Sequence, residues 1–174
     1  VVPVLGSIAG GQSQPSPLGG ELIAGAQTFI QSIRQAAADP QVVAIVVRVD
    51  SGGGDGLASD LMYRAVLEAA KKKPVVASMG DTAASGGYYV AMGADEVLAS
   101  PTTLTGSIGV FFAKPAVKEL AEKLGLNQVA IQRGALAGIT DLYQPWTPAQ
   151  RAAAQGWVDA FYDGFITEVA ARRH

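Results

Sequence analysis

The sequence contains no cysteine and only one histidine, His174, which is its last residue. The lack of cysteine excludes disulfides, a thiolate nucleophile and cysteine-ligated metals. A single terminal histidine is a poor basis for a Ser-His-Asp triad or for a zinc site with several histidines. We therefore expect this chain to hold no metal ion and no cofactor.

Charged residues are also few. The 13 Lys and Arg residues nearly balance the 15 Asp and Glu residues, which leaves a formal net charge of −2. This balance does not favour binding to nucleic acid, and no such partner is expected. No apolar run reaches the roughly 18 residues that a membrane-spanning helix needs.

What is abundant is apolar residues, which make up 49% of the 174 positions and exclude an intrinsically disordered chain. A chain of this length can bury its own core, so we expect one domain over residues 1–174. The sequence has no initiator methionine and stops directly after a predicted helix, so we expect a piece of a longer protein, with an intact mature domain as the weaker alternative.

Short apolar segments alternate with helical patterns along the chain. The predicted strands are 1–8, 42–49, 75–79, 96–99 and 128–132, and the predicted helices are 22–38, 57–73, 85–93, 115–124 and one that begins at Thr147. Strand–helix–strand units in series imply parallel strands joined by crossover helices. The fold class is therefore α/β, with a mostly parallel sheet.

Two glycine-rich turns, residues 51–56 and 80–87, each follow a predicted buried strand. In open α/β sheets, ligands bind beyond the carboxyl ends of the strands. Glycine lets backbone N–H groups approach a phosphate or the oxyanion of an acyl-transfer intermediate. The first turn lacks the lysine of a Walker loop and is not G-x-G-x-x-G. A purely structural tight turn therefore remains an equal alternative there.

Ser85 is the candidate nucleophile, because it lies at a strand-to-helix turn between small residues. Its hydroxyl would meet the positive end of a helix, although the same pattern is equally typical of a helix N-cap. A nucleophilic serine needs a base, and His174 is terminal. The lysines have the pattern of solvated helix surfaces: Lys71, Lys72, Lys73, Lys114, Lys118 and Lys123.

Four segments in order, residues 44–54, 73–80, 83–89 and 103–110, resemble the signal peptide peptidase A family. The resemblance implies a fold of the crotonase and Clp-protease type and a serine peptidase with a Ser/Lys dyad. It implies an oligomeric enzyme that degrades remnant signal peptides at the bacterial cytoplasmic membrane. The catalytic domain would lie on the periplasmic or extracytoplasmic side, with membrane association through a segment outside this chain.

Carried over residue by residue, the resemblance implies that Ser85 is the nucleophile and that Ser107 orients the lysine. It implies that Gly53, Gly54 and Gly86 donate the N–H groups of the oxyanion hole. Proline usually stands in the family where this chain has a glycine at position 52, which should loosen the first turn.

The lysine itself is missing, since Ala137 stands where the family's short members have it and Gly138 where they have aspartate. In the long, duplicated members the amino-terminal half supplies the lysine and the carboxy-terminal half the serine. The chain resembles that carboxy-terminal half. We therefore expect a lysine-bearing domain of the same protein as a partner, and self-association through residues 135–145 and the last helix.

Two other interpretations remain. One is a non-catalytic scaffold homologue, in which Ser85 survives but no lysine is supplied. The other is a crotonase-like acyl-thioester enzyme that would use the glycine N–H groups as an oxyanion hole. The presence of Ser85 and Ser107 at the family's separation argues against this last interpretation.

Overall fold

A computed structural model of the chain describes residues 1–17, 19–20 and 22–173. The sole histidine, His174, lies outside the described residues. The chain divides into two compact units, the first made of residues 1–109 and 165–174 and the second of residues 110–164. Every predicted site residue except those of the lysine position belongs to the first unit.

The first unit contains the strands and the first three helices. Its strands are β1 (Val2–Leu5), β2 (Ser7–Ala9), β3 (Gln14–Pro15), β4 (Leu22–Gly25), β5 (Ile45–Ser51), β6 (Val75–Ala84), β7 (Glu96–Leu98) and β8 (Leu104–Gly106). Its helices are α1 (Ala26–Ala38), α2 (Gly56–Ala70) and α3 (Gly86–Ala91). Helix α4 (Lys118–Lys123) belongs to the second unit, and α5 (Pro148–Arg172) begins in the second unit and ends in the first.

The main sheet has five strands in the order β1-β5-β6-β7, with β8 also paired to β6. All of its pairings are parallel. A smaller sheet has the order β2-β4-β3. The predicted α/β class with a mostly parallel sheet is confirmed.

The core of the first unit lies between the main sheet and its helices. Val47 and Val49 of β5, Val75 of β6, Ile33 of α1 and Met62 of α2 are all fully buried. Burial of each such side chain contributes about 1.5–3 kcal/mol relative to exposure. This core holds the carboxyl ends of β5 and β6 side by side. The turn predicted over residues 80–87 is wrong in its first half, because β6 continues to Ala84 and only Ser85 separates it from α3.

The predicted helix over residues 22–38 begins later than expected, at Ala26, because the preceding residues form β4. Ile23 pairs with Ser7 in a parallel ladder and with Gln14 in an antiparallel one. The N–H of Gly25 donates to Ser13 Oγ at 3.0 Å. Sheet partners therefore override the helical spacing of the apolar residues.

The strand predicted over residues 128–132 is not formed. In the part of the chain that the structure describes, this segment has no sheet partner, and Val129 and Ile131 are 87% and 98% exposed. A β-rich composition forms a strand only where another strand accepts its backbone hydrogen bonds.

Helix α5 starts with a capping box at Thr147, where the sequence predicts that a helix begins. The N–H of Gln150 donates to Thr147 Oγ1 at 3.2 Å, and the N–H of Thr147 donates to Gln150 Oε1 at 3.1 Å. Among the described residues, no helix has both the length and the apolar character to cross a membrane.

Candidate active site

Ser85 occupies the single residue between the end of β6 and the start of α3. Its φ of 50° and ψ of −119° lie in a region that residues with a Cβ rarely adopt. Such a conformation costs about 1–3 kcal/mol and persists only where the surroundings impose it. The side chain is partly exposed and makes no capping hydrogen bond to the described residues of α3. The Ser85 hydroxyl is therefore not used as an N-cap.

The two glycine-rich turns meet at this serine. A Cβ built on Gly53 would lie 2.6 Å from the nitrogen of Gly86 and 2.9 Å from the Cβ of Ser85. With a φ of +100°, Gly53 also has a backbone conformation that favours glycine. The close approach of the turns, expected from the parallel sheet, thus requires glycine at position 53.

Ser107 lies beside Ser85 because β8 pairs with the second half of β6. Ala84 and Gly106 are register partners, and each directly precedes one of the two serines. The N–H of Ser85 donates to the carbonyl oxygen of Gly106 at 2.9 Å. Ser107 shares the φ of 50° and has an exposed side chain.

The three glycines predicted to form an oxyanion hole differ in the state of their N–H groups. The N–H of Gly53, a buried residue, donates to Ser51 Oγ at 3.1 Å. Gly54 is exposed, and its N–H has no acceptor among the described residues. Gly86 is the first residue of α3, where an N–H has no intrahelical acceptor. A Cβ on Gly86 would lie 3.3 Å from the Gly54 nitrogen, so these two groups lie close together.

Two buried serines support the site and were not singled out from the sequence. Ser51 accepts the N–H of Gly53, and Ser59 donates to the carbonyl oxygen of Asp55 at 2.8 Å. A Cβ on Gly86 would lie 2.4 Å from Ser59 Oγ, so this hydroxyl packs directly against the start of α3. Apart from their position in or after a turn, nothing in the sequence distinguishes these serines from exposed ones.

Comparison with known proteins identifies the family. The model of Peptidase family S49 matches residues 68–174. The chloroplastic serine protease SPPA of Arabidopsis thaliana is 46% identical over 132 residues, which cover 76% of this chain and 19% of that protein. The chain belongs to peptidase family S49.

Other relatives of this S49 chain are bacterial. Protease 4 of Salmonella typhi is 39% identical over 97% of this chain and 26% of its own length. A putative signal peptide peptidase SppA of Enterococcus faecium is 30% identical over 85% of this chain and 43% of its own length. The S49 chain thus spans less than half the length of each of these relatives.

Solved structures similar to the S49 chain share little sequence with it. An enoyl-CoA hydratase from Mycobacterium avium subsp. paratuberculosis has a TM-score of 0.43 and 20% identity, over 86% of this chain and 75% of that one. A point mutant of ClpP1 from Listeria monocytogenes has a TM-score of 0.39 and 18% identity, over 53% of this chain and 45% of that one.

Several lysines of the S49 chain have structural partners. Lys73 Nζ donates to the carbonyl oxygens of Ala36, at 3.1 Å, and of Asp39, at the end of α1. Cations in this position stabilise the carboxyl end of a helix. Lys71 Nζ lies 2.6 Å from a carboxylate oxygen of Glu68. These contacts agree with the interpretation of residues 71–73 as a helix end.

The lysines of the second unit and the expected lysine position also have defined surroundings. Lys114 Nζ donates to the carbonyl oxygen of Gln144 at 2.7 Å and lies 5.7 Å from the ring centroid of Trp146. Ala137 is exposed, and its N–H donates to the carbonyl oxygen of Gly134 at 3.2 Å.

A cluster of aromatic and charged residues holds α3 against the last turns of α5. The Tyr89 hydroxyl donates to Asp60 Oδ1 at 3.3 Å, and burial, followed by the charge of Asp60, raises the pKa of Tyr89 to about 12. The Tyr63 hydroxyl donates to Glu168 Oε2 at 2.6 Å, and burial is the main cause that raises the pKa of Tyr63. The ring centroids of Tyr89 and Phe165 lie 4.5 Å apart, so α3, the helix that follows Ser85, packs against α5 here.

Proposed function

We propose that residues 1–174 form a single peptidase domain that carries the nucleophile, Ser85, of a serine peptidase. A lysine from another domain of the same protein acts as its base. The observation that carries the proposal is the strained, partly exposed Ser85 between β6 and α3, packed against the glycine turn at Gly53. A serine on a strained strand-to-helix turn is the arrangement that exposes a nucleophile in other hydrolases.

In the proposed reaction, Ser85 Oγ attacks the carbonyl carbon of the scissile peptide bond while the lysine amine takes the hydroxyl proton. The carbonyl electron pair moves onto oxygen, and this oxyanion accepts hydrogen bonds from two backbone N–H groups. The lysine ammonium then gives its proton to the leaving amine. Water hydrolyses the resulting ester with the same lysine as base, which frees Ser85.

Gly54 and Gly86 are the proposed oxyanion donors. A Cβ built on Gly86 would lie 3.3 Å from the Gly54 nitrogen, and neither N–H is used by a described neighbour. Gly53 contributes differently, because its N–H already donates to Ser51 Oγ and its missing side chain allows the two turns to meet. Ser107, which follows the register partner of Ala84, is proposed to hold the lysine amine.

The proposed substrates are remnant signal peptides at the bacterial cytoplasmic membrane, cut on its periplasmic or extracytoplasmic side. A segment outside residues 1–174 would provide the membrane attachment. The name of the Enterococcus faecium relative, a putative signal peptide peptidase, supports the proposed substrate class.

The proposed enzyme is a homo-oligomer. Its association surface includes residues 135–145 and α5, where large apolar side chains are exposed: Leu136, Leu142, Trp157, Tyr162 and Ile166. Large apolar side chains exposed to solvent are common in interaction sites.

A second candidate is a non-catalytic scaffold, favoured by the alanine at position 137. One experiment separates the two functions: turnover of a peptide ester by the full-length protein and by its Ser85→Ala variant. If the protein is a peptidase, the full-length protein should turn over the ester. Turnover should fall to background in Ser85→Ala, while this variant keeps its thermal unfolding transition and is therefore still folded. No Ser85-dependent turnover in the full-length protein would favour the scaffold.

A further inference from the structure

Ser51, the last residue of β5, uses its hydroxyl for two backbone contacts at once. Its Oγ donates to the carbonyl oxygen of Gly6 at 2.6 Å and accepts the N–H of Gly53 at 3.1 Å. The residue is only 2% exposed, so water offers no substitute for either contact. The side chain thus ties the first glycine turn to the bend between β1 and β2.

The backbone of Ser51 is held as firmly as its side chain. Ser51 pairs with Ala83 of β6, after a register shift that separates this pair from that of Val49. A Cβ on Gly87 would lie 2.5 Å from the carbonyl oxygen of Ser51, so α3 packs directly on it. Ser51 therefore has a fixed position relative to the turn that carries Ser85.

The glycine turn needs such an anchor. Gly53 and Gly54 have φ values of +100° and +153°, and Gly52 has open space where a side chain would be. Consecutive glycines have the largest conformational freedom of any backbone. An oxyanion donor is effective only if it is aligned before the reaction begins.

From these contacts we infer that Ser51 is a positioning residue of the peptidase. By holding Gly53 it aligns the N–H of Gly54 toward the oxyanion at Ser85. This inference rests on the proposed function. Ser51 touches neither substrate nor the reacting atoms, and its effect passes through the turn.

The kinetic test compares full-length wild type with Ser51→Ala and Ser51→Cys on one peptide ester. The matched control is Ser13→Ala, since Ser13 Oγ also accepts a glycine N–H, that of Gly25 at 3.0 Å, but in the small sheet. Ser51→Ala is expected to lower kcat about tenfold or more, with KM within about twofold, because complete loss of one oxyanion donor costs about 10²–10³ in kcat. Because a thiol sulfur is a weaker acceptor, the kcat of Ser51→Cys is expected to lie between those of wild type and Ser51→Ala. Ser13→Ala is expected to keep the wild-type kcat.

A merely structural role for Ser51 would lower the unfolding temperature but leave kcat per folded enzyme unchanged, and that result would overturn the inference. If Ser51→Ala does not fold, Ser51→Cys decides, and an unchanged kcat in that variant is the contradicting outcome.

Amide hydrogen exchange of Gly53, followed by NMR, tests the contact independently of activity. The exchange of this amide should be slow in wild type and at least about tenfold faster in Ser51→Ala or Ser51→Cys. Equal exchange rates would refute the role of the hydroxyl, whatever the kinetics. If Ser85→Ala instead kept full turnover, the proposed function would fail, while the exchange rates would still report on the Ser51–Gly53 bond.

Discussion

The backbone N–H of Ser85 donates to the carbonyl oxygen of Gly106 at 2.9 Å, and this bond joins the turn after β6 to the turn after β8. Ser85 and Ser107 each directly follow one member of the Ala84–Gly106 register pair, and each has a φ of 50°. A Cβ-bearing residue with positive φ is uncommon, and two at neighbouring strand ends indicate that the fold maintains this geometry against local preference.

Replacement of Ser85 by glycine should stabilise the protein while it removes activity. Glycine adopts a φ of 50° without the strain of about 1–3 kcal/mol, although its larger unfolded-state entropy offsets about 0.5–1 kcal/mol. Ser85→Ala keeps the Cβ and therefore the strain, which makes it the matched control. In urea unfolding, we expect the free energy of unfolding of Ser85→Gly to exceed that of Ser85→Ala by on the order of 1 kcal/mol. Equal stability of the two variants would show that the turn is not strained.

Alanine at position 53 should destabilise the protein, whereas alanine at the neighbouring position 52 should not. Gly53 has a φ of +100°, and its Cβ would lie 2.6 Å from the Gly86 nitrogen, so Gly53→Ala should cost about 1–3 kcal/mol or more. Gly52 lies outside the positive-φ region and has no atom within 4 Å of its Cβ position. Gly52→Ala should therefore be neutral or stabilise by up to about 1 kcal/mol. Chemical unfolding of both variants tests this, and similar losses in both would contradict the close approach of the turns.

Introduction of a lysine at position 137 should give the chain a base of its own. Loss of the base in serine enzymes typically costs about 10⁴-fold in rate, so even weak rescue is measurable. We expect the Ala137→Lys, Gly138→Asp variant to hydrolyse a peptide ester in a Ser85-dependent manner. Addition of Ser107→Ala should lower that activity. A folded double variant without any gain over the parent chain would refute the lysine position inferred from the family resemblance.

Stability should fall in the alkaline range because of Tyr89. Its pKa is raised from 10.0 to about 12 in the folded chain, so the folded state keeps a proton that the unfolded state loses. The stabilisation is present in full below pH 10 and is lost as pH rises to about 12. In urea unfolding at several pH values, Tyr89→Phe should flatten this decline. An identical decline in wild type and Tyr89→Phe would contradict the assignment.

The parallel sheet and the meeting of the two glycine turns could be predicted because both depend on local patterns. Apolar, β-branched segments end at glycine-rich turns, and parallel strands bring such ends to one edge. The pairing that places Ser107 could not be predicted, because β8 has only three residues and lies in a segment with the composition of a loop. Its strand conformation depends on β6, which continues to Ala84 instead of ending at Met79.

The contacts of Ser51 and the start of α1 depend on partners distant in sequence. Ser51 Oγ binds Gly6, 45 residues away, and β4 exists because Ser7 and Gln14 supply neighbouring strands. Composition carries no information on such pairings. The predicted helix start at Thr147, in contrast, depends on a capping box of four residues, which forms with two hydrogen bonds.

The most direct test of the account is the site and rate of labelling by a serine-reactive fluorophosphonate, located by mass spectrometry of the digested protein. We predict a single adduct on Ser85 in the full-length protein. Residues 1–174 alone should be labelled no faster than their Ser85→Ala variant, because the proposed base lies in another domain. An adduct on a different residue would remove Ser85 from the mechanism, and rapid labelling of Ser85 in the isolated chain would show that the base lies within residues 1–174.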